Sequence, residues 1–427
     1  MLTSAIKTKL TQGGYTETFA RLYCADVGGV QAQVKRYLEA AGEFEALFGA
    51  EREVSLFSAP GRTEIGGNHT DHQRGRVLAA AVNLDVIGLA SKNNDNVIRI
   101  KSAGYEQDNV SLDSLQPVGE EKNRAIALIR GIAARFAELG YKIGGFDAYT
   151  TTNVLQGSGL SSSAAFEVLV GTMLSHLYND GRVTPVEVAQ IGQYSENKYF
   201  GKPCGLMDQT ASAVGGFVAI DFCDPANPKV EKLDFDFAAS GYALCIINTG
   251  GNHADLTPDY AAIPAEMKAV AAYFGKGALR EVDKEEFFAA LGDLRQRVGD
   301  RAILRAMHFF ADDNRVPQQA SALRQNNFDA FKRLILESGK SSFEYLQNVY
   351  SPRSPQEQGV SLALAVSERV LAGRGAWRVH GGGFAGTTQA FVPLDLLEDF
   401  RRQIEQVMGK GACHVLSVRP DGGVRVI

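Results

Sequence analysis

Residues 153–171 read NVLQGSGLSSSAAFEVLVG and combine a glycine-rich turn with the start of an apolar helix. Gly157 and Gly159 remove side chains where the helical spacing begins, and the serines at 161–163 place three hydroxyls beside the first backbone amides of the helix. These amides have no intrahelical partner and lie at the positive end of the helix dipole, so such a turn can bind anions. A single serine would indicate an ordinary helix cap, whereas three serines after Gly-x-Gly favour a phosphate-binding loop.

Patterns of apolar residues on both sides of this loop predict an α+β fold. Two strand-like stretches precede it, followed by a helix in NRAIALIRGIAARFAELG and a strand in GGFDAYTTTNV. Further strands and helices after residue 217 predict a second α+β unit. Because 427 residues exceed one typical domain, we predict an N-terminal domain over residues 1–217, with a helical N-terminal extension, and a C-terminal domain over residues 218–427.

Composition limits the partners of this chain. A net charge of −5 argues against general binding to nucleic acid, and it means that an anionic substrate must find positive charge locally. The N-terminus lacks a signal-peptide pattern, and the most apolar stretch is interrupted by Asn83 and Asp85, so we expect no membrane partner. Five cysteines without a CxxC motif indicate reduced thiols and a cytoplasmic location. The oligomeric state stays open, with a monomer favoured.

A second informative stretch, APGRTEIGGNHTDHQRGRVLAAAV at residues 59–82, gathers titratable side chains ahead of an apolar strand. Its HTDH segment resembles part of the HxHxDH cluster of dinuclear zinc hydrolases, but Gly67 occupies the position of the first histidine. Recognition of hydroxyl groups by His69 and Asp71 is better supported, because a carboxylate and a neutral imidazole both bind hydroxyls. We interpret Glu64 as the partner in a structural hydrogen bond or ion pair.

Other glycine-rich segments imitate nucleotide motifs without fitting them. Residues 337–342, ESGKSS, resemble the end of a P-loop, yet Leu334 stands where its first glycine belongs. GGGFAG at residues 381–386 satisfies GxGxxG, but a strand follows where a dinucleotide-binding unit needs a helix. That loop either forms a tight hairpin or brings its backbone close to a ligand. The loop at residues 197–216 contains Asp208, whose role depends on its partners.

Taken together and in this order, the glycine-rich segments resemble the GHMP kinases, the superfamily of galactose, homoserine, mevalonate and phosphomevalonate kinases. SAPGRTEIGGNHTDHQ and PCGLMDQ are similar to galactokinase sequences in particular. The resemblance runs from about residue 42 to the C-terminus. It implies a two-domain α+β GHMP kinase fold with the active site in the cleft between the domains, and ATP-dependent phosphorylation of a sugar at its anomeric hydroxyl, with Mg²⁺.

The resemblance also implies roles for individual positions. Asp208 matches the catalytic aspartate and Arg62 the arginine beside it. The positions that match Mg²⁺ ligands are Ser163 and Glu196. Those that match sugar contacts are Asn68, His69, Asp71 and Tyr260. Those that match the loop around the ATP triphosphate are Gly157, Ser158, Gly159, Leu160, Ser161, Ser162, Ser163 and Ala164. This chemistry is consistent, because a carboxylate can accept the proton of a hydroxyl and an arginine can neutralise a moving phosphoryl group.

Two departures from the usual GEHTDY pattern bear on the sugar. Asn68 replaces the glutamate that contacts the hydroxyl on sugar carbon six in the family, and His72 replaces a tyrosine. Asparagine can still bind a hydroxyl, so galactose is favoured. The lost negative charge makes galacturonate an alternative, and an N-acetylated galactosamine a third. A galactose sensor without turnover is a further alternative, but the serine loop, Arg62 and Asp208 are all present, which favours an enzyme.

Overall fold

The computed structural model describes residues 1–155, 159–202, 204–251 and 256–427. The α-helices of these residues are α1 Thr3–Thr11, α2 Thr16–Tyr23, α3 Val27–Phe48, α4 Ala125–Glu138, α5 Ser162–Tyr178, α6 Pro185–Ser195, α7 Met207–Val214, α8 Thr257–Tyr273, α9 Lys284–Ala289, α10 Leu291–Arg297, α11 Asp300–Arg324, α12 Phe328–Ser341, α13 Gly359–Leu371 and α14 Leu397–Met408. The strands are β1 Ser55–Gly66, β2 Arg76–Lys92, β3 Val97–Ser102, β4 Gln107–Ser111, β5 Phe146–Thr152, β6 Phe217–Asp221, β7 Lys229–Leu233, β8 Tyr242–Asn248, β9 Ala376–Val379, β10 Thr387–Pro393, β11 Cys413–Leu416 and β12 Val424–Arg425. The predicted α+β class is confirmed.

The larger sheet is built around the long strand β2. Its strand order is β12-β1-β2-β5-β3-β4, and β6 also pairs with β2 and then with β7. The first half of β2 pairs with β6, the second half pairs with β5, and β1 runs antiparallel along both halves. Helices α5 and α7 contact β2, as do α3 and α11. Because it is covered in this way, β2 is almost entirely buried, which explains its nearly continuous apolar sequence.

The smaller sheet has the order β11-β8-β10-β9 and is antiparallel throughout the described strands. Alternate residues of β8 face two different cores: Cys245 and Ile247 pack with α13 and α14, whereas Leu244 and Ile246 join the larger core shared with the first sheet. The chain passes from the larger sheet to the smaller one between Leu233, the end of β7, and Tyr242, the start of β8. The boundary after residue 217 stays a prediction; residue 217 begins β6, which pairs with β2 of the larger sheet. Strand β12 also returns to the first sheet, where it pairs with β1.

The N-terminal extension is helical, as predicted, and packs on the first sheet through its own apolar cluster. Beneath it, the carboxylate of Asp85 is fully buried and accepts hydrogen bonds from Arg36 Nη1 at 2.5 Å, Tyr23 Oη at 2.7 Å and Arg419 Nη1 at 3.2 Å. The backbone of Asp85 exchanges hydrogen bonds with Asn153, the first residue of the glycine-rich segment, at 2.7 and 3.1 Å. The extension is therefore tied to the strand ends from which the predicted phosphate loop emerges.

Among the described helices, none combines the length and the apolar character that a crossing of the bilayer requires.

Candidate active site

The predicted phosphate loop leads into helix α5. Gly159 has φ +72°, and Ser161 takes a left-handed conformation with φ +52° at the position before the helix. Its hydroxyl does not cap the helix but donates to the Oδ2 atom of Asp208. Leu160 and Ala164 are buried and hold this helix start against the core. Gly157 and Ser158 lie outside the described residues.

Arg62 and Asp208 form a two-pronged ion pair beside this helix start. Arg62 Nε donates to Asp208 Oδ1 at 2.7 Å, and Arg62 Nη2 donates to Asp208 Oδ2 at 2.6 Å. A third nitrogen, Arg62 Nη1, donates to the backbone oxygen of Gly159. Strand β1, helix α7 and the glycine-rich loop therefore meet at one point, although Arg62 and Asp208 are 146 residues apart. Parallel hydrogen bonds of this kind fix the orientation of a carboxylate.

Next to the first turn of α5 lies a pocket of about 580 Å³. Two of the three predicted hydroxyls, those of Ser162 and Ser163, line it together with the predicted metal ligand Glu196. Residues that the sequence did not identify complete the wall: Ser102, Tyr105, Asp108, Asn123, Arg124, Leu128, Thr150, Phe166 and Phe200 are among them. Their positions on separate strands and helices carry no common sequence pattern, which is why the motifs gave no indication of them.

Glu196 takes part in a buried polar cluster. The side-chain amide of Gln209 donates to Glu167 Oε2 and to Glu196 Oε2, both at 2.9 Å, and the Lys202 ammonium lies 3.6 Å from Glu196 Oε1. Burial, followed by the charge of Glu196, raises the pKa of Glu167 well above its usual range. Serine and carboxylate oxygens are the donors that Mg²⁺ prefers, and it commonly takes only one or two carboxylates from a protein, so Ser163 and Glu196 fit this ion.

Three of the four residues predicted to contact the sugar, Asn68, His69 and Tyr260, bind the backbone of the 381–386 loop. His69 Nε2 lies 3.1 Å from the backbone oxygen of Gly382, so this nitrogen carries a proton and donates it. Burial and the neighbouring His72 lower the pKa of His69 to about 3, which leaves the ring neutral. Asp71 is partly exposed and, with Gln193, lines a separate pocket of about 220 Å³.

Tyr260 approaches the same loop from helix α8. Its hydroxyl donates to the backbone oxygen of Gly383 at 3.0 Å. A Cβ atom on Gly382 would lie 2.6 Å from the Tyr260 ring, and one on Gly383 would lie 2.0 Å from the backbone oxygen of Asn348. The loop joins the antiparallel strands β9 and β10, so the hairpin alternative is confirmed, and its glycines leave room for Tyr260 and for the backbone of Asn348.

The structure contradicts a direct contact of Asn68 with the sugar in this conformation. The side chain is fully buried, and its amide nitrogen donates to Glu64 Oε1 at 2.9 Å and to the backbone oxygen of Gly381 at 2.7 Å. Its amide oxygen accepts from Asn348 Nδ2 at 2.9 Å and from Ser342 Oγ at 3.2 Å. An asparagine side chain can donate twice and accept twice, so Asn68 has no capacity left for a sugar hydroxyl.

Glu64 forms the ion pair that the sequence suggested. Its Oε1 atom accepts from Arg378 Nη2 at 2.8 Å as well as from Asn68. Burial raises the pKa of Glu64, whereas the charge of Arg378 opposes this rise.

A fold of two packed α+β units, with a glycine- and serine-rich helix start beside an arginine–aspartate pair, defines a GHMP kinase. The family profile "GHMP kinases N terminal domain" matches residues 127–216. The crystal structure of *Methanococcus jannaschii* mevalonate kinase shares the fold, with a TM-score of 0.59 and 13% identity over 86% of this chain and 98% of that one.

More specific matches identify the family within this class. The profile "Galactokinase galactose-binding signature" matches residues 42–92. The chain is 30% identical to galactokinase of *Streptomyces coelicolor* over 389 residues, which are 90% of this chain and 96% of that protein. The crystal structure of *Lactococcus lactis* galactokinase complexed with galactose matches with a TM-score of 0.75 and 25% identity over 90% of this chain and 98% of that one.

The chain belongs to the galactokinase family. It is a phosphotransferase that acts on a sugar hydroxyl with ATP as co-substrate. The predicted GHMP kinase fold and the predicted class of enzyme are confirmed.

Proposed function

We propose that this protein transfers the γ-phosphoryl group of ATP to the anomeric (C1) hydroxyl of galactose, giving galactose 1-phosphate and ADP. The observation that carries the proposal is the Arg62–Asp208 pair at the start of helix α5, with distances of 2.6 and 2.7 Å. It combines a proton acceptor and a positive charge beside a helix start suited to phosphate. The *L. lactis* relative was crystallised with galactose, which supports this sugar.

Asp208 is suited to accept the proton of the attacking hydroxyl. A carboxylate has about four acceptor positions. Two N–H groups of Arg62 and the hydroxyl of Ser161 fill three of them, which leaves one for the sugar. As the C1 oxygen bonds to the γ-phosphorus, the bond from this phosphorus to the β–γ bridging oxygen breaks, ADP leaves, and the hydroxyl proton passes to Asp208. Because the transition state of phosphoryl transfer is loose, most of the catalysis comes from positioning and from charge stabilisation by Arg62.

The 580 Å³ pocket is the proposed nucleotide site. Its position beside the first turn of α5 lets the exposed amides of the helix hold phosphate oxygens, while Tyr105 and Phe166 supply ring surface for a base. When bound, Mg²⁺ would neutralise charge on the phosphates, and Ser163 and Glu196 are the proposed protein ligands. Lys202 adds a further positive charge near Glu196.

His69, Asp71 and Tyr260 remain the proposed contacts of the sugar, and the domain that follows β7 supplies the 381–386 loop that faces them. Galacturonate and an N-acetylated galactosamine are the alternative acceptors, and a galactose sensor without turnover is the alternative from another functional class. The retained serine loop and the assembled Arg62–Asp208 pair support an enzyme over a sensor.

A coupled assay of ADP release tests this proposal with galactose, galacturonate and N-acetylgalactosamine as acceptors. We expect turnover on galactose, with NMR of the product showing the phosphate on C1. Asp208→Asn should lower kcat by at least about a hundredfold while galactose binding, measured by calorimetry, changes little. Asp395→Asn is the matched control, because Asp395 is paired with Arg374 on the exposed surface. Turnover on none of the three sugars, or full turnover by Asp208→Asn, would overturn the proposal.

A further inference from the structure

The two carboxylate oxygens of Glu64 have different surroundings. Oε1 accepts two hydrogen bonds, from Arg378 at 2.8 Å and from Asn68 at 2.9 Å. Oε2 accepts none from any described residue, and it is not closed off from solvent, since the side chain keeps 9% of its exposure. A carboxylate that served only as a partner for Arg378 would gain from turning both oxygens toward the guanidinium, as Asp208 does toward Arg62. One oxygen of Glu64 is therefore held in place and the other is left available.

The side chain of Glu64 leaves β1 on the same face as that of Arg62. Residues 62 to 64 keep a regular register with β2, from Arg62 opposite Ala81 to Glu64 opposite Ala79, so the side chains of Arg62 and Glu64 leave the same face. The rise along a strand separates them by about 6.6 Å, which is close to the width of one sugar ring. Asn68, next to the proposed sugar contact His69, donates to the Oε1 atom of Glu64, so Glu64 lies near both Arg62 and this contact.

We propose that Glu64 is a substrate-binding and specificity-determining residue whose Oε2 atom accepts a hydrogen bond from a hydroxyl of the sugar other than the reacting one. This inference rests on the proposed sugar kinase function and names its substrate class. Arg378 and Asn68 hold Oε1, so the carboxylate is oriented before the sugar arrives and little side-chain entropy is lost on binding.

This placement changes what Asn68 implies for the substrate. The missing negative charge at residue 68 suggested room for a hexuronic acid, but Asn68 donates directly to the carboxylate of Glu64. The proposed sugar subsite therefore keeps an acidic group, with Asp71 nearby as a second one. A free carboxylate oxygen binds a hydroxyl well and repels another carboxylate. The subsite accordingly selects a neutral hexose over a hexuronic acid.

The test compares kcat and KM of the wild-type protein and Glu64→Gln with galactose, its 2-, 3-, 4- and 6-deoxy analogues, and galacturonate. We expect kcat/KM for galactose to fall about 10- to 100-fold in Glu64→Gln, mainly through KM, because a hydrogen bond to a charged group is lost. One deoxy analogue should be a poor substrate for the wild-type protein and lose most of that disadvantage in Glu64→Gln. The preference for galactose over galacturonate should shrink at least tenfold in the variant. Glu231→Gln is the matched control, since Glu231 is paired with Arg324 at the surface, and its kinetics should not change.

The outcomes separate the two proposals. If the wild-type protein phosphorylates no sugar, the proposed function fails. If it phosphorylates galactose but Glu64→Gln keeps the same KM and the same ranking of deoxy analogues, only the role of Glu64 is overturned. A wild-type preference for galacturonate also overturns that role, and this measurement needs no variant. Should Glu64→Gln fold poorly, Glu64→Asp keeps the charge but withdraws it from the sugar, and it must show the same rise in KM.

Discussion

Replacement of Asp85 by asparagine should destabilise the protein strongly, although this residue lies outside the candidate active site. The substitution preserves the size and one acceptor oxygen but removes the negative charge that faces the guanidinium groups of Arg36 and Arg419. Arg419 is completely buried and cannot reach water, whereas Arg36 keeps 16% of its side-chain exposure and can relax toward solvent. Removing one partner of a buried ion pair lowers the free energy of unfolding by about 3 to 5 kcal/mol. Because Arg36 can move toward solvent, we expect the lower end of this range, about 3 kcal/mol.

That loss converts into a measurable change of Tm. The entropy of unfolding is about 2.1 cal/mol/K per residue, so a loss of 3 kcal/mol lowers Tm by about 3 °C if all 427 residues unfold together and by about 7 °C if roughly half of them unfold as a unit. Burial would raise the pKa of Asp85, but Arg36 and Arg419 overcome it and hold the pKa below the usual value. The folded state thus binds the proton less readily than the unfolded chain, so the stabilisation is complete at neutral pH and disappears as pH falls below about 4.

Calorimetric unfolding at pH 7 and at about pH 3, inside the range where the stabilisation is lost, checks this reasoning. Asp180→Asn is the matched control, because the pair of Asp180 with Arg182 is about 80% exposed on both sides and should contribute nothing measurable. A Tm of Asp85→Asn within about 1 °C of the wild-type value at pH 7 would show that the two arginines do not depend on this carboxylate. A loss that stayed the same size at both pH values would refute the electrostatic explanation.

Three further predictions concern the site and its surroundings. Ser161→Ala removes the hydroxyl that donates to Asp208 and should lower kcat about tenfold with little change in KM, as steady-state kinetics would show; an unchanged kcat would contradict it. Gly383→Ala should cost more than about 1 kcal/mol in chemical denaturation, because its Cβ would lie 2.0 Å from a backbone oxygen at φ +79°, whereas Gly409→Ala has a positive φ in open space and should cost less. Burial and Arg62 lower the pKa of His380 to about 3, while the unfolded chain takes up this proton near pH 6.5. Stability should therefore fall as pH drops from about 6.5 toward 3, by about 1.4 kcal/mol per pH unit from this group, and the slope should flatten in His380→Gln.

Sequence reasoning was most successful where a short motif carries its own chemistry. The glycine–serine turn identifies a helix start in any context, and the resemblance carried Arg62 and Asp208 to positions that the structure brings into direct contact. The helices and strands that flank them follow from apolar periodicity. The α+β class could then be predicted because this order of strand and helix patterns admits few architectures.

The details that failed depend on partners far away in the chain. The resemblance implied a sugar contact for Asn68 because it replaces the family's glutamate, yet its amide oxygen accepts from Ser342 and Asn348, more than 270 residues later. The sequence could not predict the free oxygen of Glu64 for the same reason, because the position of Arg378 determines which oxygen accepts its hydrogen bond. No pattern within a short window reports such pairings.

Strand β12 belongs to the first sheet but is the last of the described strands to be synthesised. The edge of β1 that it covers belongs to the first sheet, but residues 424–425 leave the ribosome only after the whole second sheet has been made. Until then the nascent protein carries an open strand edge with unpaired amides and carbonyls, the feature that recruits chaperones or invites aggregation. Completion of the N-terminal sheet is thus a late step, and the two halves of this kinase cannot mature strictly one after the other.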